Sequence, residues 1–121
     1  MLATISLILV GLVAVEHIYF MILEMFLWTT PKGRKAFGMT PEFASSTAAL
    51  AKNQGLYNGF LVAGLVWSFF AESEMAFALR VFFLGCIVVA GIFGGLTVNK
   101  KIAILQATPA LLALVFLFLG R

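Results

Sequence analysis

The amino-acid sequence predicts an all-α fold, a four-helix transmembrane bundle that forms one integral membrane domain over residues 1–121. Two observations lead to this prediction. The chain is 63% hydrophobic and 11% charged, whereas soluble domains are about 45–50% apolar and about 25% charged. The apolar residues also form four long runs without the alternation of a membrane β-strand. Each run must therefore satisfy its backbone hydrogen bonds internally, as a helix does.

Each predicted span holds about 19 residues or more, which is enough to cross about 30 Å of hydrocarbon at about 1.5 Å per residue. The four spans are residues 3–28, 47–70, 77–98 and 102–120. Pro31 and Gly33 are expected to end the first helix. Thr40, Pro41 and Glu42 are typical of a helix start, so we expect the second helix to begin near residue 41 and to continue into the second span.

Basic residues cluster at one set of predicted helix ends. Lys32, Arg34 and Lys35 lie in the first loop, and Lys100 and Lys101 lie in the third. The positive-inside rule places these loops in the cytoplasm and both termini outside. The clustering also explains the net charge of +3 as a topology signal, so nucleic acid is not an expected partner. The single cysteine excludes an intramolecular disulfide and a cysteine metal cluster.

Four polar or charged residues interrupt the first span. His17 and Glu24 are seven residues apart and share a helix face, while Glu16 and Tyr19 lie beside that face. A charge at the centre of a membrane helix costs about 2.5–3.5 kcal/mol, so such residues usually face the interior and mark function. Glu24 lies close to the interface, where we expect it either to reach water or to pair with Lys32 or Lys35.

The second span opens with a polar stripe that consists of Asn53, Gln54, Tyr57 and Asn58. The fourth span carries one further amide, Gln106. Counted along the helices, the stripe lies at the depth of Glu16 and His17. A protonated Glu16 is therefore expected to donate a hydrogen bond to Asn53, Gln54 or Asn58. These residues all fall in the predicted cytoplasmic half. We therefore expect a polar cavity among the helices that faces the cytoplasm. Its ligand-binding or proton-linked residues are predicted to be Glu16, His17, Tyr19, Glu24, Asn53, Gln54, Tyr57, Asn58 and Gln106.

Three functions remain open for this cavity. The first is binding or transport of a small amphipathic or lipophilic molecule, with Glu16 and His17 as a proton-sensitive pair. The second is acid/base catalysis on a lipophilic substrate by a glutamate and His17. The third is a structural hydrogen-bond network in an accessory membrane protein. No catalytic residue is assigned, and no cofactor is expected. A metal site is not expected either, because His17 and Glu24 lie about 10.5 Å apart along the helix axis.

Glycine pairs spaced four residues apart predict close helix packing. Gly55 and Gly59 form one such pair, and Gly91 and Gly95 form another. Small residues at this spacing let two helices approach closely, either within the bundle or across a homodimer. Pro109 is expected to kink the fourth helix, because it has no N–H to donate to the preceding turn.

Three segments carry a resemblance to a known family. EHIYFMILEMF at 16–26, KNQGLYNGFLVAG at 52–64 and FFLGCIVVAGIFGGLT at 82–97 resemble the domain of unknown function family thirteen-zero-four, small bacterial membrane proteins. The resemblance covers essentially the whole chain. It implies a four-helix integral membrane protein, and it implies no activity. We expect the protein in the bacterial cytoplasmic (inner) membrane, with membrane lipid as a partner. The residues that match the family pattern are Glu16, His17, Tyr19, Glu24, Asn53, Gln54, Gly55, Tyr57, Asn58 and Gly59.

Overall fold

The computed structural model describes residues 1–121, which form five helices and no strand. The helices are α1 (Leu2–Phe26), α2 (Pro31–Phe37), α3 (Pro41–Phe70), α4 (Ser73–Thr97) and α5 (Lys100–Leu119). The predicted all-α class is confirmed.

Three helices, α1, α4 and α5, are long and apolar enough to cross a membrane. The predicted count of four spans is therefore not confirmed. The difference lies in α3, which has 30 residues and so has the length to span a bilayer. Its middle carries Lys52, Asn53 and Gln54, and these polar groups lower its hydropathy below that of the other three helices.

The short helix α2 was not predicted. Pro31 begins this helix rather than ending α1, which already stops at Phe26. The hydroxyl of Thr30 accepts a hydrogen bond from the N–H of Gly33 at 3.3 Å and caps the first turn. Gly38 ends the helix with a φ of 63°, a left-handed conformation that favours glycine. The expectation that Gly33 ends a helix was wrong, since Gly33 lies buried within α2.

The start of α3 follows the sequence prediction. The hydroxyl of Thr40 accepts a hydrogen bond from the N–H of Phe43 at 3.1 Å, so Thr40 is the N-cap. Pro41 occupies the first turn, where its missing N–H costs nothing, and Glu42 lies at the positive end of the helix dipole. The helix then runs without interruption to Phe70.

The chain divides into two compact units. Unit 1 consists of residues 1–15 and 63–121, and unit 2 consists of residues 16–62. Both α1 and α3 contribute residues to each unit. Unit 1 contains α4 and α5 together with the first half of α1 and the last part of α3, and unit 2 contains α2.

Within unit 1, small residues bring α4 and α5 together. A Cβ added at Gly91 would lie 2.7 Å from the backbone nitrogen of Ala107, and one added at Gly95 would lie 2.5 Å from the Cβ of Ala103. Both distances are too short for a real side chain, so glycine lets the two helices pack this closely, which confirms the predicted close approach. The hydroxyl of Ser6 joins α1 to α5 by donating to the carbonyl of Ala113 at 3.4 Å.

The helix α5 contains a π-helical segment at Ala103–Ala107. The N–H of Thr108 donates to the carbonyl of Ala103, five residues back. Pro109 follows at once, and its ring would clash with the carbonyl four residues before it in a regular α-helix. A π turn adds one residue to the helical repeat and so accommodates the proline. The structure thus shows a π turn just before Pro109, and the kink itself stays a prediction.

Candidate polar site on α1 and α3

The centre of the candidate site is a hydrogen bond between Glu24 and Asn58, hereafter the acid–amide pair. The amide nitrogen Nδ2 of Asn58 donates to Oε1 of Glu24 at 2.5 Å. Asn58 is only 3% exposed, and Glu24 is half-buried in the last turn of α1. A buried amide needs such a partner, because an unpaired polar group costs about 1–3 kcal/mol. The pair thus ties α1 to α3 inside unit 2.

Small residues of α3 make room for this contact. A Cβ added at Gly55 would collide with Cγ of Met25 and lie 3.1 Å from Cβ of Glu24. A Cβ added at Gly59 would lie 3.1 Å from the sulfur of Met21. The predicted close approach at Gly55 and Gly59 is confirmed, and it occurs within the chain, against the end of α1. This approach fixes the register that places Asn58 beside Glu24.

The partner of Asn58 differs from the one expected. Counting depth along the two helices matched Asn58 with Glu16, but the amide bonds to Glu24, eight residues further along α1. Nor does Glu24 form an ion pair with a lysine of the first loop. Lys32 instead lies with its ammonium 5.8 Å from the ring centroid of Tyr19.

Glu16 and His17 form a second polar group, about two helical turns before Glu24 on α1. Nδ1 of His17 lies 3.8 Å from Oε1 of Glu16. His17 is 1% exposed, and the edge of its ring packs against Phe20 with centroids 5.4 Å apart. Oε1 of Glu16 is buried without a hydrogen-bond partner. At 3.8 Å a small approach of the two side chains would let a proton pass between carboxyl and imidazole.

The remaining predicted residues form no hydrogen bond with the acid–amide pair. Asn53, Gln54 and Tyr57 are exposed, so the expected stripe of four polar residues on α3 is divided and only Asn58 points inward. Tyr19 is also exposed, beside Lys32. Gln106 is half-buried in the π-helical segment of α5 and belongs to unit 1.

A polar contact that sequence reasoning missed lies close to the start of α3. The indole nitrogen of Trp28 donates to the hydroxyl of Thr47 at 3.0 Å, and its ring packs against Phe37 of α2 with centroids 4.8 Å apart. These contacts hold α2 and α3 together. The available signal was the tryptophan itself, because an indole N–H that becomes buried usually finds an acceptor.

The chemistry open to this site is that of a carboxyl group and an amide on facing helices. The Glu24 carboxyl group can exchange a proton or accept hydrogen bonds from a ligand, and the Asn58 amide can both donate and accept. No group of three or more histidine, cysteine, aspartate or glutamate side chains lies together in the structure.

The comparisons with known proteins agree with the resemblance seen in the sequence. Residues 11–118 match the family described as "Protein of unknown function (DUF1304)". The chain is 39% identical over 115 residues to a protein of Lactococcus lactis subsp. lactis (strain IL1403), "Uncharacterized protein YpaA", and the match covers 93% of this chain and 96% of that protein. No solved structure matches. The acid–amide pair and the Glu16–His17 group both lie inside the matched region, and the chain belongs to the DUF1304 family.

Proposed function

We propose that the protein binds or transports a small amphipathic molecule within the bacterial cytoplasmic membrane, and that the acid–amide pair recognises the polar head of that molecule. The supporting observation is the hydrogen bond between Glu24 and Asn58 in helices that are otherwise largely apolar. Placing a carboxyl group and an amide there costs desolvation free energy, and residues retained at such a cost usually mark function.

In this proposal α3 is a fourth span beside the three apolar helices. Its length of 30 residues is sufficient for a crossing. The polar residues of α3 are then tolerated because they face a cavity open to the cytoplasm. The basic residues between α1 and α3 and between α4 and α5 lie on the cytoplasmic side, and both termini lie outside.

The aromatic rings near the pair favour a cationic ligand. Tyr19 is 45% exposed and Tyr57 is 53% exposed, so both rings are available to an apolar group. The ammonium of Lys32 already lies over Tyr19, 5.8 Å from its ring centroid, so Tyr57 offers the more accessible ring. A hydrophobic cation would find a carboxyl group at Glu24 and aromatic surface at Tyr57. Further hydrogen bonds are assigned to the exposed amides Asn53 and Gln54, which belong to the same unit.

Glu16 and His17 are proposed as the proton-linked part of the site. Their separation of 3.8 Å also favours one alternative function, acid/base catalysis on a lipophilic substrate with His17 and a glutamate as base and acid. A second alternative is a structural role, because the Glu24–Asn58 bond by itself links two helices. A homodimer through glycine-rich faces remains an additional proposal.

The binding test uses tetraphenylphosphonium as a hydrophobic-cation probe of the purified protein in detergent. Glu24→Gln keeps an oxygen that accepts from Asn58 but removes the charge, so we expect binding to weaken by about tenfold or more. Glu42→Gln is the matched control, because Glu42 is exposed in the first turn of α3. Unchanged binding in Glu24→Gln would contradict the proposed role of the pair.

The alternatives are separated in liposomes. Proton-coupled transport predicts that Glu16→Gln abolishes pH-dependent uptake of the same probe. An enzyme instead predicts turnover of a bacterial lipid extract without any gradient. If Glu16→Gln and His17→Ala lower only the melting temperature, with neither uptake nor turnover changed, the polar group is structural.

A further inference from the structure

A cavity of about 390 Å³ lies in unit 1, and all of its lining residues belong to that unit. It forms where the start of α1, the start of α4 and the end of α5 meet. None of the residues predicted from the sequence to bind a ligand lines it. Its polar and aromatic lining consists of Ser6, Ser73, Glu74, Phe77, Arg80 and Arg121.

Arg80 is a fixed cation in the wall of this cavity. Its Nε donates to the hydroxyl of Ser68 at 3.1 Å, and its Nη2 donates to the carbonyl of Ser68 at 2.7 Å. Ser68 is 1% exposed, so the serine holds the guanidinium in one place. A guanidinium has five N–H groups. These two bonds leave three without a protein acceptor, and no carboxylate forms an ion pair with Arg80.

Arg121 supplies a second cation on another side of the cavity. Its guanidinium carbon lies 3.9 Å from the ring centroid of Phe77. The ring of Phe77 is itself held edge-on by Phe118, with centroids 5.3 Å apart. Glu74 also lines the cavity and is exposed. Two positive groups and one negative group therefore face the same space.

The position of the cavity indicates where its ligand comes from. The three helices whose ends form it are the ones long and apolar enough to cross a membrane. Their ends lie at the level of the lipid headgroups, where arginine side chains reach towards phosphate. A guanidinium with free N–H groups matches a phosphate, because it can donate two parallel hydrogen bonds to its oxygens.

We propose that this cavity binds the headgroup of a membrane phospholipid that carries a primary amine, with the phosphate on Arg80 and Arg121 and the amine on Glu74. The carboxylate of Glu74 accepts hydrogen bonds from a primary ammonium, which offers three N–H donors. A quaternary ammonium has no such donors and is usually held by several aromatic rings. Here the cavity offers one ring, Phe77, which Arg121 already covers. Phosphatidylethanolamine therefore fits better than phosphatidylcholine or phosphatidylglycerol.

Native mass spectrometry of the protein in detergent tests this proposal, with each of the three lipids added at equal concentration. We expect phosphatidylethanolamine to be retained at the lowest concentration. Arg80→Gln and Arg121→Gln should each weaken its binding by about tenfold or more, because each removes charge-assisted hydrogen bonds. Glu74→Gln should weaken phosphatidylethanolamine and strengthen phosphatidylglycerol. The matched control Lys35→Gln removes an exposed positive charge from unit 2 and should change nothing.

Equal retention of the three lipids by the unmodified protein would overturn the proposal. Unchanged phosphatidylethanolamine binding in an Arg80→Gln variant with a normal melting temperature would do the same. If Arg80→Gln unfolds because it loses the hydrogen bonds to Ser68, Arg121→Gln and Glu74→Gln test the site. If both of these variants bind phosphatidylethanolamine as tightly as the unmodified protein, the proposed site is rejected. A parallel titration with inorganic phosphate separates the two sources of the anion. Displacement of the lipid by millimolar phosphate would assign the cavity to a soluble phosphate instead.

Discussion

Removing the amide of Asn58 should lower the free energy of unfolding, because the hydrogen bond to Glu24 is lost. Asn58→Ala deletes the hydrogen bond and leaves the half-buried carboxyl group of Glu24 without that partner. Hydrogen bonds to charged groups contribute about 1.5–3 kcal/mol, whereas interhelical bonds within membranes average about 0.6 kcal/mol and reach about 1.7 kcal/mol. We therefore expect the free energy of unfolding to fall by about 1–3 kcal/mol.

A double-mutant cycle isolates the bond from the other effects of truncation. Glu24→Ala, Asn58→Ala and the double variant are unfolded in mixed micelles by titration with a denaturing detergent, and helicity is followed by circular dichroism. We expect a coupling energy of about 1 kcal/mol between the two sites. Independent sites add to within about 0.3–0.5 kcal/mol. A coupling energy no larger than this would refute the argument that the acid–amide pair holds α1 to α3.

Further predictions concern glycine contacts and the indole bond, each measured by the same unfolding titration. Gly55→Ala should cost about 1–3 kcal/mol because its Cβ collides with α1, whereas the control Gly11→Ala, with nothing within 4 Å, should stabilise the helix by about 0.5–1 kcal/mol. Gly91→Ala should be destabilising as well, since the obstacle 2.7 Å away is backbone of α5; Gly85→Ala, which meets open space, is its control, and equal effects of the two would contradict the packing described. Trp28→Phe keeps the ring but removes the N–H donor, so it should cost about 1 kcal/mol; no loss would mean that the indole bond is not formed in solution.

The long helices could be predicted because their signals are local. Four apolar runs gave the positions of α1, α3, α4 and α5, and Thr40 with Pro41 located the start of α3. The helix α2 was not predicted, because Pro31 by itself can indicate either the end of one helix or the first turn of another. Pro31 disfavours the interior of a helix but is well suited to its first turn. Which of the two applies depends on the cap that Thr30 provides.

The pairing of polar residues could not be obtained by counting depth. On a helix, Asn58 lies about 100° from Tyr57, so the polar stripe spans more than one face. Which face turns inward depends on the neighbouring helix. The residues that pack inward are Ala44, Ala51, Gly55 and Asn58, and all four are buried. Successive members are seven, four and three residues apart, which places them on one face of the helix. This row of small residues was the signal that would have selected Asn58 over Gln54.

The π turn in α5 amounts to a built-in one-residue insertion. Without it, the helix before Ala103 and the helix after Ala107 would rotate relative to each other by about 100°, the angle that one residue occupies. The alanines that meet α4 and the residues that meet α1 could then not both face their partners. Deleting one residue within the turn would yield a more regular helix that packs worse. The extra residue in the π turn thus lets the two halves of α5 face their different partners at the same time.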